Sequence, residues 1–411
     1  MNKNILGVLH IADHEIRLLV GEFFESRLNI LKVEQVEVAG SSLHSFNSDL
    51  VSEAIRKAVV NASRNLGVVI EKVLLMIPSN DVVIEHAKVN LLINGHMGED
   101  IYTLAYSEAL KHVAPESMIT VNALISHYYI NGNLTKRNLV NEICEQLSMD
   151  VDYYYAPKSL VFKLVNCVEK IGLQIIDIGL DGLSFAKEAS LFDASLDLPV
   201  IGVSIEREST HLYLYNKGAL ISSQMLQTGS LPWLAKLSDD FGLPLNKCAK
   251  ILYYNLDLSE KEQVNAPIYL WSSDSKTNVM SYNELKQSVS GTVSEFLDTL
   301  RSVCEPILES KKVRFVLTGE AAMVSGLDEA LASLSDCEVT AYYPETFGVR
   351  ETRFGPLIGM FYLYKDMHQY RSEDQNSVDI HEFDRVINSS KHDLDSEDSI
   401  TKRLKKFFFD H

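Results

Sequence analysis

Apolar residues fall in short runs broken by polar corners, and one such arrangement occurs twice. Ile5–Ile11 is apolar, Ala12–Glu15 is a polar corner, Ile16–Phe23 returns apolar, and Leu28–Val38 adds a third run. Mid-chain, Val200–Ile205, the charged corner Glu206–Ser209, His211–Tyr215, the turn Asn216–Gly218 and Ala219–Met225 repeat the pattern. Each copy reads as a three-stranded meander. Two copies half a chain apart predict a duplicated α/β core in which the polar corners face each other across a cleft.

Between the copies, Asp49–Leu66 has helical spacing and Val68–Ile77 reads as a buried strand ended by Pro78–Asn80. A different texture begins at Asp81. It comprises strand-like Val82–Ile93, a helix over Gly98–Val113, strand Met118–Ile130, Thr135–Met149 helical in its middle, and strand Asp150–Ala156. This stretch reads as a separate insert. Pro157 restarts the first pattern with an amphipathic helix, Lys158–Ile171, strand Leu173–Ile178 and a helix over Leu180–Ala189. After the second meander come helices at Leu231–Asp240 and Leu245–Tyr254, then a polar excursion through Ser275. A long helix at about Ser281–Ser310 feeds strand Val313–Leu317, Thr318–Gly319 opens the next helix, and Glu338–Tyr343 and Pro356–Met367 close the core. From Gln369 to Ser399 the composition turns to Asp, Glu, Ser and Asn, the signature of a disordered acidic linker.

Composition narrows the function classes. A 411-residue chain exceeds one compact core. A net charge of −18 disfavours a nucleic-acid partner, whose phosphates the surface would repel. The five cysteines are dispersed without a CxxC pair and read as reduced, buried thiols of a cytosolic protein. No run approaches the ~18–20 apolar residues of a spanning helix, so membrane contact is expected to be peripheral. No P-loop, GxGxxG, HExxH or zinc spacing is present, and the twelve histidines do not cluster.

Several stretches resemble the bacterial FtsA family of the actin/Hsp70-like ATPase superfamily. Leu9–Glu22 resembles its first phosphate hairpin, and Ile119–Asn133 a stretch of its inserted SHS2-type subdomain. Val161–Leu173 resembles the helix after that insert, Val313–Leu327 (VRFVLTGEAAMVSGL) the adenosine loop, and Gly355–Leu363 the second connecting helix. The resemblance implies an α/β, duplicated actin-like (ribonuclease-H-like) fold with an inserted SHS2-type α+β subdomain. It divides the chain into subdomain 1A (1–80, 157–198 and a return at 344–368), the insert 1C (81–156), 2A (199–230 and 300–343) and 2B (231–299). The linker (369–398) and a terminal helix (399–411) follow.

The family's nucleotide site needs glycine-bearing corners whose N–H groups wrap phosphates, with an aspartate at each strand end holding the Mg²⁺ water shell. This chain departs at both corners. His10 stands at the first aspartate position and Ala12 at the expected glycine. Ser204 stands at the second aspartate position, and Glu206–Arg207–Glu208 replaces a glycine run. Carboxylates where a triphosphate should lie repel it by about 4 kcal/mol at ~4 Å and an effective dielectric near 20, which Arg207 would offset only in part. On the adenosine side Thr318 and Gly319 persist while Glu320 replaces a glycine. Lys250 matches a base-stacking lysine, and Lys247 stands in for the usual glutamate. His10 reads as a polar strand-end residue of a decayed site rather than a base. The expectation is a pseudo-ATPase, with ATP and Mg²⁺ the cofactors the resemblance allows.

At the C-terminus, Ile400, Leu404, Phe407 and Phe408 fall on one helical stripe flanked by Lys402, Arg403, Lys405 and Lys406. Aromatics beside cations suit an interfacial helix on anionic lipid. Each buried large apolar side chain would contribute roughly 1.5–3 kcal/mol. The resemblance adds the C-terminal peptide of FtsZ as a partner, docking around Leu231–Gly291, and self-association through Asp81–Ala156. It places the protein on the cytoplasmic side of the cell membrane. Two alternatives share the fold: an active actin-fold ATPase, which the altered corners disfavour, and a PilM-like type IV pilus scaffold, which the basic tail disfavours.

Overall fold

The computed structural model describes residues 3–24, 27–38, 46–135, 140–259, 264–273, 276–368 and 375–386. The first meander is β1 (Lys3–Ile11), β2 (Glu15–Phe24) and β3 (Arg27–Glu37). Helix α1 (Ser48–Leu66) begins at Asn47, whose side chain accepts from the N–H groups of Asp49 and Leu50, and ends at Gly67 with φ +74°. Strand β4 (Lys72–Ile77) then returns parallel to β1. The strand expected from Val68 thus begins at Lys72.

The insert comprises β5 (Val83–His96), α2 (Glu99–Ala109), β6 (Met118–Ile130), β7 (Asn133–Thr135) and β8 (Ile143–Pro157) in the order β5-β8-β6-β7. From His86 to the end of β5 exposure alternates residue by residue, so one face meets water while the other covers α2. The helix expected within Thr135–Met149 is overturned, since Ile143–Met149 belongs to β8. Cys144 and Leu147 have helical spacing, but β8 has a strand on either side, and that pairing decides its conformation.

The first lobe resumes with α3 (Lys158–Glu169), β9 (Gln174–Leu180), α4 (Asp181–Glu188) and the short α5 (Leu191–Ala194). The second meander is β10 (Val200–Ile205), β11 (Thr210–Asn216) and β12 (Ala219–Leu226). Helices α6 (Leu231–Phe241) and α7 (Leu245–Asn255) lead to the hairpin β13 (Pro267–Ser273) and β14 (Lys276–Ser281), which occupies the expected polar excursion. Helix α8 (Tyr282–Leu308) opens on a reciprocal Ser281–Glu284 capping box. Strand β15 (Arg314–Thr318), a 3₁₀ turn at Ala321–Met323, α9 (Leu327–Ser335), β16 (Glu338–Ala341) and α10 (Gly355–His368) complete the order. Thr318–Gly319 therefore opens a 3₁₀ turn, with α9 starting only at Leu327.

The two large sheets have the same plan, β3-β2-β1-β4-β9 and β12-β11-β10-β15-β16, each an antiparallel meander followed by two parallel strands. The expected duplication is present. Helices α4 and α10 cross closely: a Cβ on Gly359 would lie 1.7 Å from the Ser184 carbonyl, so only glycine fits there.

The acidic linker is corrected over residues 375–386. Ser377 donates its N–H to the Ile5 carbonyl, accepts through Oγ from the Gly7 N–H, and accepts through its carbonyl from Glu71 and Lys72. Val378 and Phe383 are buried against the first lobe. The reason is backbone accounting: β1 and β4 pair only from Val8↔Leu74 onward, and this segment satisfies the groups left open before that point. The rest of the linker and the amphipathic stretch 399–411 lie outside the described residues. No described helix is long and apolar enough to cross a membrane. All five cysteines are free thiols, four of them buried.

Candidate functional site

Both corners are four-residue turns. Ala12 donates its N–H to the Glu15 carbonyl (3.0 Å), and Glu206 donates its N–H to the Ser209 carbonyl (2.9 Å). They meet as the sequence predicts, and what joins them is side-chain charge. Arg17, on β2, is fully buried. Its Nε donates to Glu15 Oε1 (2.6 Å), while Nη1 and Nη2 donate to Glu206 Oε1 and Oε2 (3.1 and 2.6 Å). This two-pronged pair links the lobes with fixed geometry. Beside it, Asp13 Oδ2 accepts the backbone N–H of Glu208 (2.7 Å), so a carboxylate of one corner takes an amide of the other.

A third element closes the cluster. Gly319 has φ +88°, and a Cβ there would lie 2.6 Å from the Ile205 backbone, which lets the loop after β15 press against the end of β10. Thr318 Oγ1 donates to the Thr352 carbonyl and Thr352 Oγ1 to the Gly319 carbonyl, tying that loop to the turn before α10. Glu320 is thereby held inside, where Oε1 accepts from Arg353 Nη1 (3.2 Å) and Arg207 Nη2 (3.4 Å).

Opposed charges overcome burial in this cluster. Burial would raise the pKa of Glu206, but the Arg17 guanidinium holds it down to about 2. Burial likewise opposes ionisation of Glu15, and Arg17, His14 and Arg353 lower it to about 2. Burial would lower His14, yet its bond to Asp13 (Nδ1 to Oδ1, 2.6 Å) and the Glu320 and Glu15 charges raise it. His10 lacks such support: burial, with Arg17 close by, pushes it to about 4, so it is neutral.

The nucleotide-site residues singled out from sequence separate into two groups. His10, Ala12, Ser204 and Glu206 line the cleft, and Arg207, Thr318, Gly319 and Glu320 border it through the Arg207–Glu320 and Thr318–Thr352–Gly319 bonds. Arg207 does not offset Glu206; it faces Glu320 and Glu37, and Arg17 fills the role expected of it. Lys247 and Lys250 are exposed on α7. Sequence reasoning missed His14, Glu15, Arg17 and Arg353 as site residues. Glu15 and Arg17 did carry a signal, since charges two apart at the head of an otherwise apolar strand share one face.

The cleft cavity measures 130 Å³, below the ~300 Å³ at which small-molecule pockets begin. Neither His10 nor Ser204 supplies the carboxylate that a Mg²⁺ water shell would need. By contrast, His14 Nε2 and one oxygen each from Glu15 and Glu320 converge within 4.8 Å of one another.

No protein-family model matches the chain. Among solved structures, it is similar to a chain of the PilM-PilN type IV pilus biogenesis complex (TM-score 0.54, 12% identity, 87% of this chain and 96% of that one). It is also similar to MreB5 of Spiroplasma citri bound to ADP (TM-score 0.51, 8% identity, 89% and 97%). At such identities the likeness shows fold alone, and the chain has the actin-like fold. Sequence similarity narrows this further. The cell division protein FtsA of Bacillus subtilis is 23% identical over 378 residues, covering 88% of this chain and 83% of its own. That of Enterococcus hirae is 22% identical over 367 residues (86% and 81%), and that of Staphylococcus epidermidis 21% over 378 (87% and 78%). The chain is a divergent relative of the FtsA proteins.

Proposed function

We propose that the chain is a cell-division scaffold of the FtsA kind, tethering FtsZ filaments to the cytoplasmic face of the membrane and self-assembling through its actin-like body. The observation that carries this reading is the similarity to cell division protein FtsA along most of both chains. Sequence supplies the rest: the apolar stripe and flanking cations of 399–411 suit reversible binding to anionic lipid, strengthened when several linked copies engage together.

In this reading the cleft joins the lobes rather than turning over nucleotide. Where phosphates would need backbone donors, Asp13 already accepts from Glu208, and Arg17 is committed to Glu206 and Glu15. The protein is a pseudo-ATPase on this account. Calorimetry with MgATP is expected to register weak or no binding, and micromolar affinity would overturn it. Deleting residues 399–411 is expected to abolish flotation with anionic liposomes, and unchanged flotation would remove the tether. A peptide from the C-terminus of FtsZ is expected to bind the purified chain, and failure to bind would leave a pilus-type scaffold as the better reading.

A further inference from the structure

The charged cluster contains one point at which three ligand-type atoms converge, two of them without a hydrogen-bond partner. Glu15 and Glu320 each spend Oε1 on guanidinium groups, Glu15 on Arg17 and Glu320 on Arg353. Their Oε2 atoms both turn toward His14 Nε2, at 3.9 and 3.5 Å. His14 Nε2 and Glu320 Oε2 are buried and make no hydrogen bond. Orphaned buried polar atoms are costly, and two aimed at a common point call for an occupant.

We propose that His14, Glu15 and Glu320 hold one divalent first-row transition-metal ion, a protein-ligated cation in the place the fold otherwise gives to a nucleotide. The first support is spacing. With ligand bonds of about 2.0–2.2 Å, neighbouring ligand atoms lie about 3.0–3.4 Å apart, so closing from 3.5 and 3.9 Å requires movements of a few tenths of an ångström. The second is orientation. His14 Nδ1 is bonded to Asp13, which fixes the ring with Nε2 turned to the ligand point, the arrangement that carboxylates impose on metal-binding histidines. The third is charge. These same carboxylates favour a proton on His14, and once a metal ion displaces it the buried carboxylates of Asp13, Glu15, Glu206 and Glu320 outnumber the guanidiniums of Arg17, Arg207 and Arg353 by one. A cation among them is electrostatically favoured. One imidazole with two carboxylates suits Zn²⁺, Co²⁺ or Mn²⁺, whereas Mg²⁺ prefers an all-oxygen shell with several waters.

The proposal rests on the reading that triphosphate does not fill the cleft, and the test separates the two. The full chain, freed of any affinity tag and stripped with chelator, is titrated with Co²⁺ and with Zn²⁺, with a parallel MgATP titration. One equivalent of Co²⁺ is expected to bind with visible d–d absorption, to be displaced by Zn²⁺, and to persist in excess Mg²⁺. Glu320→Gln and His14→Gln are expected to lose that equivalent. Asp13→Asn, which removes the carboxylate that orients His14 while leaving an amide oxygen able to accept from Glu208, is expected to weaken it about 10–100-fold. Absence of a stoichiometric equivalent in the wild type overturns the proposal whatever the variants do. Its retention in a variant that still melts cooperatively overturns the ligand set. MgATP binding would instead strike at the reading of the corners, a separable result.

Discussion

Two carboxylates join the lobes, Glu206 buried and Glu188 half-buried, and their pKa values shift in opposite directions. Glu206 sits at the corner of the second meander against Arg17, and its pKa falls to about 2. Glu188, at the end of α4, accepts from the hydroxyl of Tyr342 beyond β16 (3.0 Å), and its pKa rises to about 7. Desolvation is the leading cause in both and pushes both upward. A guanidinium overcomes it in one place, and one phenolic donor, with Glu345 nearby, does not in the other. Burial therefore does not tell a clamp from a liability. The counter-charge does.

The sharpest way to break this contrast is Arg17→Met. It leaves Glu206 and Glu15 buried without their main partner and is expected to cost about 3–5 kcal/mol in urea unfolding. Adding Glu206→Leu is expected to return part of that loss, and strict additivity of the two would remove the pair from the account. Glu188→Gln acts the other way. Below pH 4.5 the native carboxyl is protonated in folded and unfolded chains alike, so the variant gains nothing there. As pH rises from 4.5 to about 7 the wild type loses stability, because the unfolded chain ionises first, and above that the loss is complete. At pH 8 the variant is expected to be more stable by at most about 3 kcal/mol, at about 1.4 kcal/mol for each pKa unit, less wherever water reaches the carboxyl. Glu206 supplies the mirror image: its contribution is full above pH 4.5 and is lost as pH falls toward about 2. Denaturation curves across pH for the wild type, E188Q and R17M would resolve the two windows. The smallest effect is expected from Tyr342→Phe, about 1 kcal/mol at neutral pH, with the Glu188 titration moving further up.

The duplicated meanders were legible because a core strand must be apolar and a corner must be polar, and both rules act on neighbouring residues. Strand register then shows what the repeat conceals. His10 lies opposite Arg17 in the first copy and Ser204 opposite His211 in the second, so equivalent positions carry different chemistry. Pairing runs between the copies: the cation of the first meets the carboxylate of the second. In the sequence Arg17 and Glu206 are 189 positions apart, and a local reading assigned Glu206 to Arg207.

The chain itself determined where most strands and helices fall, that the core is built twice, and that polar corners end the first strand of each copy. These follow from periodicity and residue type, which act over a few residues. Tertiary structure decided which charges neutralise each other, that Ile143–Met149 is strand rather than helix, and that residues 375–386 leave the linker to complete β1 and β4. Each of those outcomes depends on a hydrogen-bond or charge partner brought from far along the chain. In a buried site the free energy of a polar group is set by that partner and by the loss of water around it, neither of which is written in the residues on either side.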